Sequence, residues 1–175
     1  EWLRAWTNER LFLSYLAALS EERPLAQIAD EIAGAAEQAM HLATKMTSVH
    51  MGLPSAPIST VGFGRLGMRS IHPLSDLDLL FLAETDDADA LDQANRFSLR
   101  LKSNLDTRMK AGRVWEIDMR LRPSGRAGPP TLRPSSLRTH QLERAKTWEH
   151  IALVPARFIC GSDTSRHVFD ETRAQ

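Results

Sequence analysis

One stretch of the chain decides its fold: residues 61–82 read VGFGRLGMRSIHPLSDLDLLFL. An apolar segment leads into a glycine-rich turn, and a second apolar segment opens with Asp76 and Asp78. Glycines let the backbone approach a phosphate closely. Two aspartates two positions apart on a strand point to the same face. The pattern therefore predicts a polyphosphate site beside a divalent-metal site, the combination that nucleotidyl transfer requires.

The composition of the chain narrows the classes of protein that it can represent. Its 175 residues favour one domain with an extension. The 22 basic and 22 acidic side chains cancel, so no global field favours nucleic acid as a partner. No apolar run approaches the roughly 20 residues of a membrane span. The single cysteine, Cys160, cannot form an intrachain disulfide and fits a reducing cytoplasm.

Hydrophobic periodicity predicts an α+β fold, with a small mixed sheet packed on helices. An N-terminal helical pair is expected at residues 1–52 and the catalytic core at 53–175. The second helix of the pair carries one apolar stripe from Ile28 to Val49. The chain does not begin with Met, so we expect a piece of a longer polypeptide. Strands are predicted at 58–63, 76–83 and 113–121, and helices at 2–19, 25–49, 64–72, 90–109, 135–144, 148–154 and from about Asp163.

A third carboxylate is predicted to join the first two. Within residues 113–121, apolar and polar side chains alternate from Trp115 to Leu121, and Asp118 lies on the polar face. A strand here can pair beside the one that carries Asp76 and Asp78. Three carboxylates from two neighbouring strands would hold divalent cations that clamp the attacking and leaving oxygens. The alternative is that Asp76 is a turn residue and Asp118 is merely exposed.

The three glycines of the turn match the spacing of a dinucleotide-binding fingerprint, but their context differs. A Rossmann unit needs a longer helix after the turn and an acid about 20 residues on, whereas Pro73 stops this helix. The turn is better suited to holding a triphosphate with its amides and the following helix N-terminus. Arg65 and Arg69 would add positive charge. The alternative is a tight strand-to-helix turn with surface arginines.

Four sequence blocks together resemble one family. They are GFGRLG at 62–67, SDLDL at 75–79, IDMRLRPSG at 117–125 with Gly128-Pro129, and TWEHIAL at 147–153 with Ala156-Arg157. They resemble the glutamine synthetase adenylyltransferase/adenylyl-removing enzymes of the DNA polymerase β-type nucleotidyltransferase superfamily. The resemblance implies the polymerase β-type fold and transfer of AMP from ATP to a tyrosine of glutamine synthetase, or its phosphorolytic removal. The forms RPSG and TWEH are similar to the C-terminal, adenylylating copy.

The resemblance also implies which residues bind metal and act in catalysis. Asp76 and Asp78 would bind two Mg²⁺ ions, and Asp118 would bind the catalytic ion. Asp118 would also be the general base toward the tyrosine hydroxyl.

For ATP, the resemblance implies contacts from the turn and from two arginines. Gly64, Arg65 and Gly67 would face the β- and γ-phosphates, and Ser75 joins this set. Arg120 and Arg122 would stabilise charge on phosphate oxygens. Equally, Arg122 would pin the loop 123–125 through carbonyl contacts. We expect Trp148, Glu149 and His150 to support the sheet rather than react, with Trp148 buried.

Four departures from the family pattern keep other functions open. Arg65 stands where the family usually has Lys, Met68 replaces a glycine, Ser70 replaces a Glu, and Pro155 replaces an Arg. Because of these departures, the alternative function is a non-catalytic module that binds nucleotide or glutamine synthetase. A small-molecule nucleotidyltransferase is a weaker alternative. The implied partners are glutamine synthetase and, for the whole enzyme, a nitrogen-signalling PII protein, with neither nucleic acid nor membrane.

Overall fold

A computed structural model describes residues 1–20, 23–123 and 125–174. Ser124, which belongs to one of the four sequence blocks, lies outside these ranges, as do Glu21 and Glu22. The described residues form seven α-helices, one 3-10 helix at Gly125–Ala127 and five strands. In chain order these are α1 (Trp2–Leu19), α2 (Leu25–His50), β1 (Ile58–Gly62), α3 (Gly64–Gly67), β2 (Leu77–Ala83), α4 (Ala88–Asp106), β3 (Ile117–Asp118), β4 (Thr131–Leu132), α5 (Pro134–Glu143), α6 (Thr147–Leu153), β5 (Arg157–Cys160) and α7 (Asp163–Ala174).

The strands form one mixed sheet in the order β3-β2-β1-β5, with β4 also pairing with β2. β1 runs antiparallel to both β2 and β5, whereas β2 runs parallel to β3 and β4. A larger apolar core joins one face of the sheet to α1, α2 and α4. A smaller core joins the other face to α5, α6 and α7. The predicted α+β fold with a small mixed sheet is confirmed, and the boundary at residue 52 stays a prediction.

The predicted stripe of α2 is confirmed only in its first half. Ile28 and Ile32 are buried, as expected, whereas Met46 and Val49 are 56% and 80% exposed. Further along α2 the buried face is made of smaller side chains, including Ala43 and Thr47. Small residues let α2 approach α4 closely, and the Asn104 amide of α4 donates to Thr47 Oγ1 at 2.9 Å. The spacing of large apolar residues alone therefore misplaces the contact.

Two predicted elements around the site are shorter than expected. The helix predicted at 64–72 is the single turn α3, because Arg69 adopts a left-handed φ of 53° that no α-helix continues. The strand predicted at 113–121 pairs only at Ile117–Asp118. Its predicted alternation is nevertheless present, since Trp115, Ile117 and Met119 are all buried.

Two strands, β4 and β5, were not predicted. β5 extends the sheet beyond β1, and its Phe158-Ile159-Cys160 run has the apolar, β-forming composition of a strand. The preceding α6 ends at Leu153, so Pro155 lies outside the helix and does not kink it.

Candidate functional site

Strand β2 is buried along its whole length except at Asp78, which is half-buried. A carboxylate in a central strand is costly unless it has partners or a ligand. Asp78 lies on the same face as Leu80 and Leu82. It marks the point where the smaller core ends and the site begins. Asp76 lies two residues earlier, just before the strand starts.

The pairing of β2 with β3 brings the third carboxylate to this point. The two strands run parallel, with Asp78 opposite Asp118. The indole Nε1 of buried Trp115 donates to the carbonyl oxygen of Ser75 at 2.8 Å, which fixes the loop that leads into Asp76. One carboxylate oxygen from each of Asp76, Asp78 and Asp118 lies within 4.8 Å of the other two. The structure thus brings together the three aspartates that the sequence singled out.

The electrostatics of the three carboxylates are unfavourable on their own. Burial raises the pKa of Asp78, and the charges of Asp76 and Asp118 raise it further. The positive charges of Arg120 and Arg65 oppose that rise. Arg120 forms an ion pair with Asp118, and its backbone amide donates to Asp118 Oδ1 at 2.8 Å. The site therefore concentrates negative charge, which Arg120, Arg65 and Arg122 partly offset.

Gly64 is the glycine of the turn that touches the carboxylates. Its φ is +51°, and a Cβ built on it would lie 2.6 Å from Asp78 Oδ2. Only glycine accepts both that backbone angle and that approach. Within residues 1–20, 23–123 and 125–174, nothing accepts a hydrogen bond from the amides of Gly64, Arg65 or Leu66. The turn thus offers free N–H donors close to Asp78.

Gly67 has a different environment from the one predicted. It is buried, and a Cβ built there would lie 2.2 Å from the carbonyl oxygen of Pro155. Close packing against the end of α6 therefore explains the glycine, and its contact with phosphate stays a prediction. Met68 has an ordinary right-handed φ of −76°, so this departure from the family pattern does not strain the turn.

Ser75 and Arg122 contact the backbone around the site. Ser75 is buried, and its Oγ accepts a hydrogen bond from the amide of His72 at 3.2 Å. Arg122 donates to the carbonyl oxygens of Met119 at 2.9 Å and Gly128 at 3.2 Å. Burial lowers the pKa of Arg122. Arg122 therefore links Met119 and Gly128, which lie on either side of the loop 123–125, and its loop-pinning role and the phosphate role of both residues stay predictions.

Two sequence-based expectations next to the site are wrong. Arg69 was expected to add charge for phosphate, but its guanidinium pairs with Asp30 and Glu37 of α2 instead. Trp148 was expected to be buried, but it is 50% exposed. A partly buried polar pair of this region is Glu149 with His140, whose carboxylate Oε1 and imidazole Nε2 lie 2.7 Å apart.

A cavity of about 510 Å³ opens beside Asp76 and Asp118. Arg120 and Arg122 line it, together with Leu99 and Lys102 of α4. Leu99 and Lys102 were not singled out from the sequence. On an amphipathic helix such as α4, the sequence alone does not distinguish a lysine that lines a cavity from a lysine that is exposed to solvent.

Comparison with known proteins agrees with these motifs. The family model of glutamate-ammonia ligase adenylyltransferase matches residues 10–172. The chain belongs to this family. Bifunctional glutamine synthetase adenylyltransferase/adenylyl-removing enzymes are among its relatives. The protein of that name from Neisseria meningitidis serogroup A is 33% identical over 99% of this chain, and that from Bradyrhizobium diazoefficiens is 37% identical over 91%.

The match covers a limited part of the adenylyltransferases. The chain spans 20% of the Neisseria protein and 18% of the Bradyrhizobium protein, about a fifth of the length of these relatives. None of the helices in the described ranges combines the length and apolar character needed to cross a membrane.

Proposed function

We propose that this chain is a polymerase β-type nucleotidyltransferase domain that transfers AMP from ATP to a tyrosine hydroxyl of glutamine synthetase, with Mg²⁺ as cofactor. One observation carries the proposal: carboxylate oxygens of Asp76, Asp78 and Asp118 lie within 4.8 Å of one another beside a glycine turn. The acceptor protein is taken from the relatives, which are glutamine synthetase adenylyltransferases by name. A domain that only binds nucleotide would not need this clustering of charge.

The donor set fits a hard divalent cation. Mg²⁺ prefers a few carboxylate oxygens, with water and phosphate oxygens completing its octahedron. Three carboxylates this close repel each other without a cation, and that cost is unusual unless a ligand compensates it. Two bound Mg²⁺ ions would neutralise the triphosphate and lower the barrier to attack on the α-phosphorus. Asp76 and Asp78 would hold both ions, and Asp118 would hold the one next to the attacking oxygen.

In the proposed reaction, residues of this chain accept the proton and orient the leaving group. The tyrosine oxygen forms a bond to the α-phosphorus while the bond from the α-phosphorus to the bridging oxygen breaks, and pyrophosphate leaves. Asp118 accepts the phenolic proton. The free amides at Gly64 and Arg65, with the Arg65 guanidinium, orient the departing phosphates. α3 is too short to contribute much dipole, so these contacts carry the phosphate binding.

The same site supports the reverse class of reaction. The relatives' names include an adenylyl-removing activity, in addition to the transferase. In phosphorolysis, an oxygen of inorganic phosphate bonds to the phosphorus of the AMP group while the bond from that phosphorus to the tyrosine oxygen breaks. ADP is the product, and the tyrosine oxygen takes a proton. We assign the forward direction, because the RPSG and TWEH blocks resemble the adenylylating copy.

The test uses two labels on ATP and unmodified glutamine synthetase. Label on the α-phosphate should enter glutamine synthetase in Mg²⁺ but not in EDTA, whereas label on the γ-phosphate should not. A second reaction offers AMP-modified glutamine synthetase and inorganic phosphate. Release of ADP there, without forward incorporation, would reverse the direction proposed. No metal-dependent reaction in either assay would refute the enzymatic proposal.

We also propose a cellular setting for the reaction. Cys160 is a buried free thiol, in keeping with a reducing cytoplasm.

A PII signalling protein is proposed as a partner of the full-length enzyme. Binding of purified PII to the full-length enzyme, measured with and without glutamine, tests this partner.

A further inference from the structure

A network of ion pairs that begins on α2 contacts the glycine turn, here residues 62–69. Glu37 Oε1 accepts from Arg69 Nη1 at 2.7 Å and pairs with Arg157 of β5. Arg157 in turn donates from Nε to the carbonyl oxygen of Gly67 at 3.0 Å, and from Nη2 to that of Leu66 at 3.3 Å. Glu37 therefore contacts the C-terminal half of the turn, at residues 66–69, through two arginines.

Besides these ion pairs, the turn is held by its own backbone hydrogen bonds, such as that from Met68 to Gly64, and by the buried side chain of Leu66. α3 is a single helical turn, and Arg65, Met68 and Ser70 around it are exposed. Arg69 adopts a left-handed φ of 53°, which disfavours any residue with a Cβ. Its guanidinium also pairs with the Asp30 side chain and donates to the Asp30 carbonyl oxygen at 3.0 Å. This conformation closes α3 in a Schellman-type end, in which the amides of Arg69 and Ser70 donate to the carbonyl oxygens of Leu66 and Arg65 at 3.2 and 2.9 Å, and the contacts with α2 add to these bonds.

The position of the turn matters because Gly64 lies against Asp78. A Cβ at Gly64 would come within 2.6 Å of Asp78 Oδ2, so there is no room for a side chain between the turn and the carboxylate. A shift of the turn changes where its free amides lie relative to the three carboxylates. A misplacement of about 1 Å can cost a hundredfold in rate.

We propose that Glu37 is a positioning residue, which holds the glycine turn at the distance from the carboxylates that ATP binding requires. This inference rests on the proposed function, since it assigns the turn to the phosphates of ATP. Glu37 does not itself contact the reacting groups. It acts through Arg69 and Arg157.

The test compares Glu37→Gln with Glu31→Gln. Glu31 lies on the same helix and pairs with Arg23 at 2.6 Å, but neither residue contacts the turn. Calorimetry with Mg²⁺ and ATP should show a dissociation constant raised about tenfold in Glu37→Gln, the low end of losses when an orienting partner is removed. Glu31→Gln should match the unaltered chain. The KM for ATP should rise, with the KM for glutamine synthetase unchanged.

Hydrogen exchange without ligand provides a readout that does not depend on the proposed function. In Glu37→Gln, the hydrogen-bonded amides of residues 67–70 should exchange about tenfold faster, with exchange in α4 and β2 unchanged. If exchange at residues 67–70 is unchanged, or rises equally throughout the fold, the inference is wrong. If ATP binds the unaltered chain and Glu37→Gln equally well, it is also wrong. If the unaltered chain fails to bind ATP, the proposed function fails, and the exchange result still decides whether Glu37 positions the turn.

A double-mutant cycle tests whether Glu37 and Arg157 act together. Arg157→Lys keeps the positive charge but loses the fork that reaches both Glu37 and the two carbonyls. If Glu37 and Arg157 act as one unit, the double variant should bind ATP about as weakly as the weaker single variant. Effects that multiply would show independent contributions, and they would contradict the proposed linkage.

Discussion

Replacing one carboxylate of the cluster should stabilise the protein without metal and destabilise it relative to the unaltered chain with metal. The perturbation is Asp78→Asn, which keeps the size of the side chain and removes its charge. Asp78 is the most informative position, because it is half-buried in the central strand. Its charge is repelled by both Asp76 and Asp118, and burial adds to the cost.

The magnitude follows from the distances between the carboxylate oxygens. At the 4.8 Å limit, one pair of charges repels by about 3.5 kcal/mol at an effective dielectric of 20, and by about 0.9 kcal/mol in bulk water. Asp78 is half-buried and Arg120 and Arg65 attract it, so the net gain from its removal lies near the lower figure. A gain of about 1 kcal/mol corresponds to a Tm increase of about 3 °C for a chain of this length.

Thermal unfolding in EDTA and in Mg²⁺ measures both effects. In EDTA, Asp78→Asn should unfold about 3 °C above the unaltered chain. Saturating Mg²⁺ stabilises whichever form binds it, by about 2.7 kcal/mol at a hundred times the dissociation constant. The unaltered chain should therefore gain more than the variant, and the order of the two Tm values should reverse. The exposed Asp92→Asn on α4 is the matched control, and its Tm should follow the unaltered chain in both buffers.

The pH dependence has a definite sign. The folded-state pKa of Asp78 is raised, so the folded protein binds more protons than the unfolded chain between the ordinary and the raised pKa. In EDTA, the unaltered chain loses stability as pH rises through that interval. The advantage of Asp78→Asn should be absent below it and complete above it. A Tm advantage that persists when Asp78 is protonated, or none at neutral pH, would refute the argument from charge repulsion.

The remaining predictions concern the turn and the arginines. Gly64→Ala should cost about 1 kcal/mol from backbone strain and should also weaken Mg²⁺ binding, because its Cβ meets Asp78 Oδ2. Gly52→Ala has a similar φ of +67° with nothing near its Cβ, so calorimetry with Mg²⁺ should show strain-sized destabilisation and unchanged binding. Arg120→Gln should leave Tm nearly unchanged, since exposed ion pairs contribute little, but should reduce AMP incorporation. Arg122→Gln should lower stability by about 1–3 kcal/mol in denaturant unfolding, because it removes partners from two carbonyls. Equal stability losses for both arginine variants would contradict the distinction between them.

The sequence predicts the carboxylate cluster well because its signals are local. The two-residue spacing of Asp76 and Asp78 predicts that they share a face, and the alternation from Trp115 to Leu121 places Asp118 on a polar face. Only one further step, the pairing of these two segments, is needed to bring the three together. The register of Asp78 opposite Asp118 supplies it.

The sequence predicts the surroundings of the turn less well because they depend on tertiary contacts. Arg69 reads as a phosphate ligand until the position of α2 is known, since its partners Asp30 and Glu37 are more than 30 residues away. The packing of Gly67 against Pro155 depends on the placement of α6. β5 is short and follows a proline, so its apolar run is too brief for periodicity to separate strand from loop. The same limit applies to the two-residue β4.

The central claim is that the three carboxylates hold the divalent cations of an ATP-dependent transfer. Its most direct test is an anomalous difference map from crystals of this chain grown with Mn²⁺ and a non-hydrolysable ATP analogue. Mn²⁺ accepts the same oxygen ligands as Mg²⁺ and scatters anomalously. The account predicts two peaks bounded by Asp76, Asp78 and Asp118, with the triphosphate leading toward Gly64 and Arg65. Mn²⁺ peaks elsewhere, or nucleotide bound without metal at these aspartates, would contradict it.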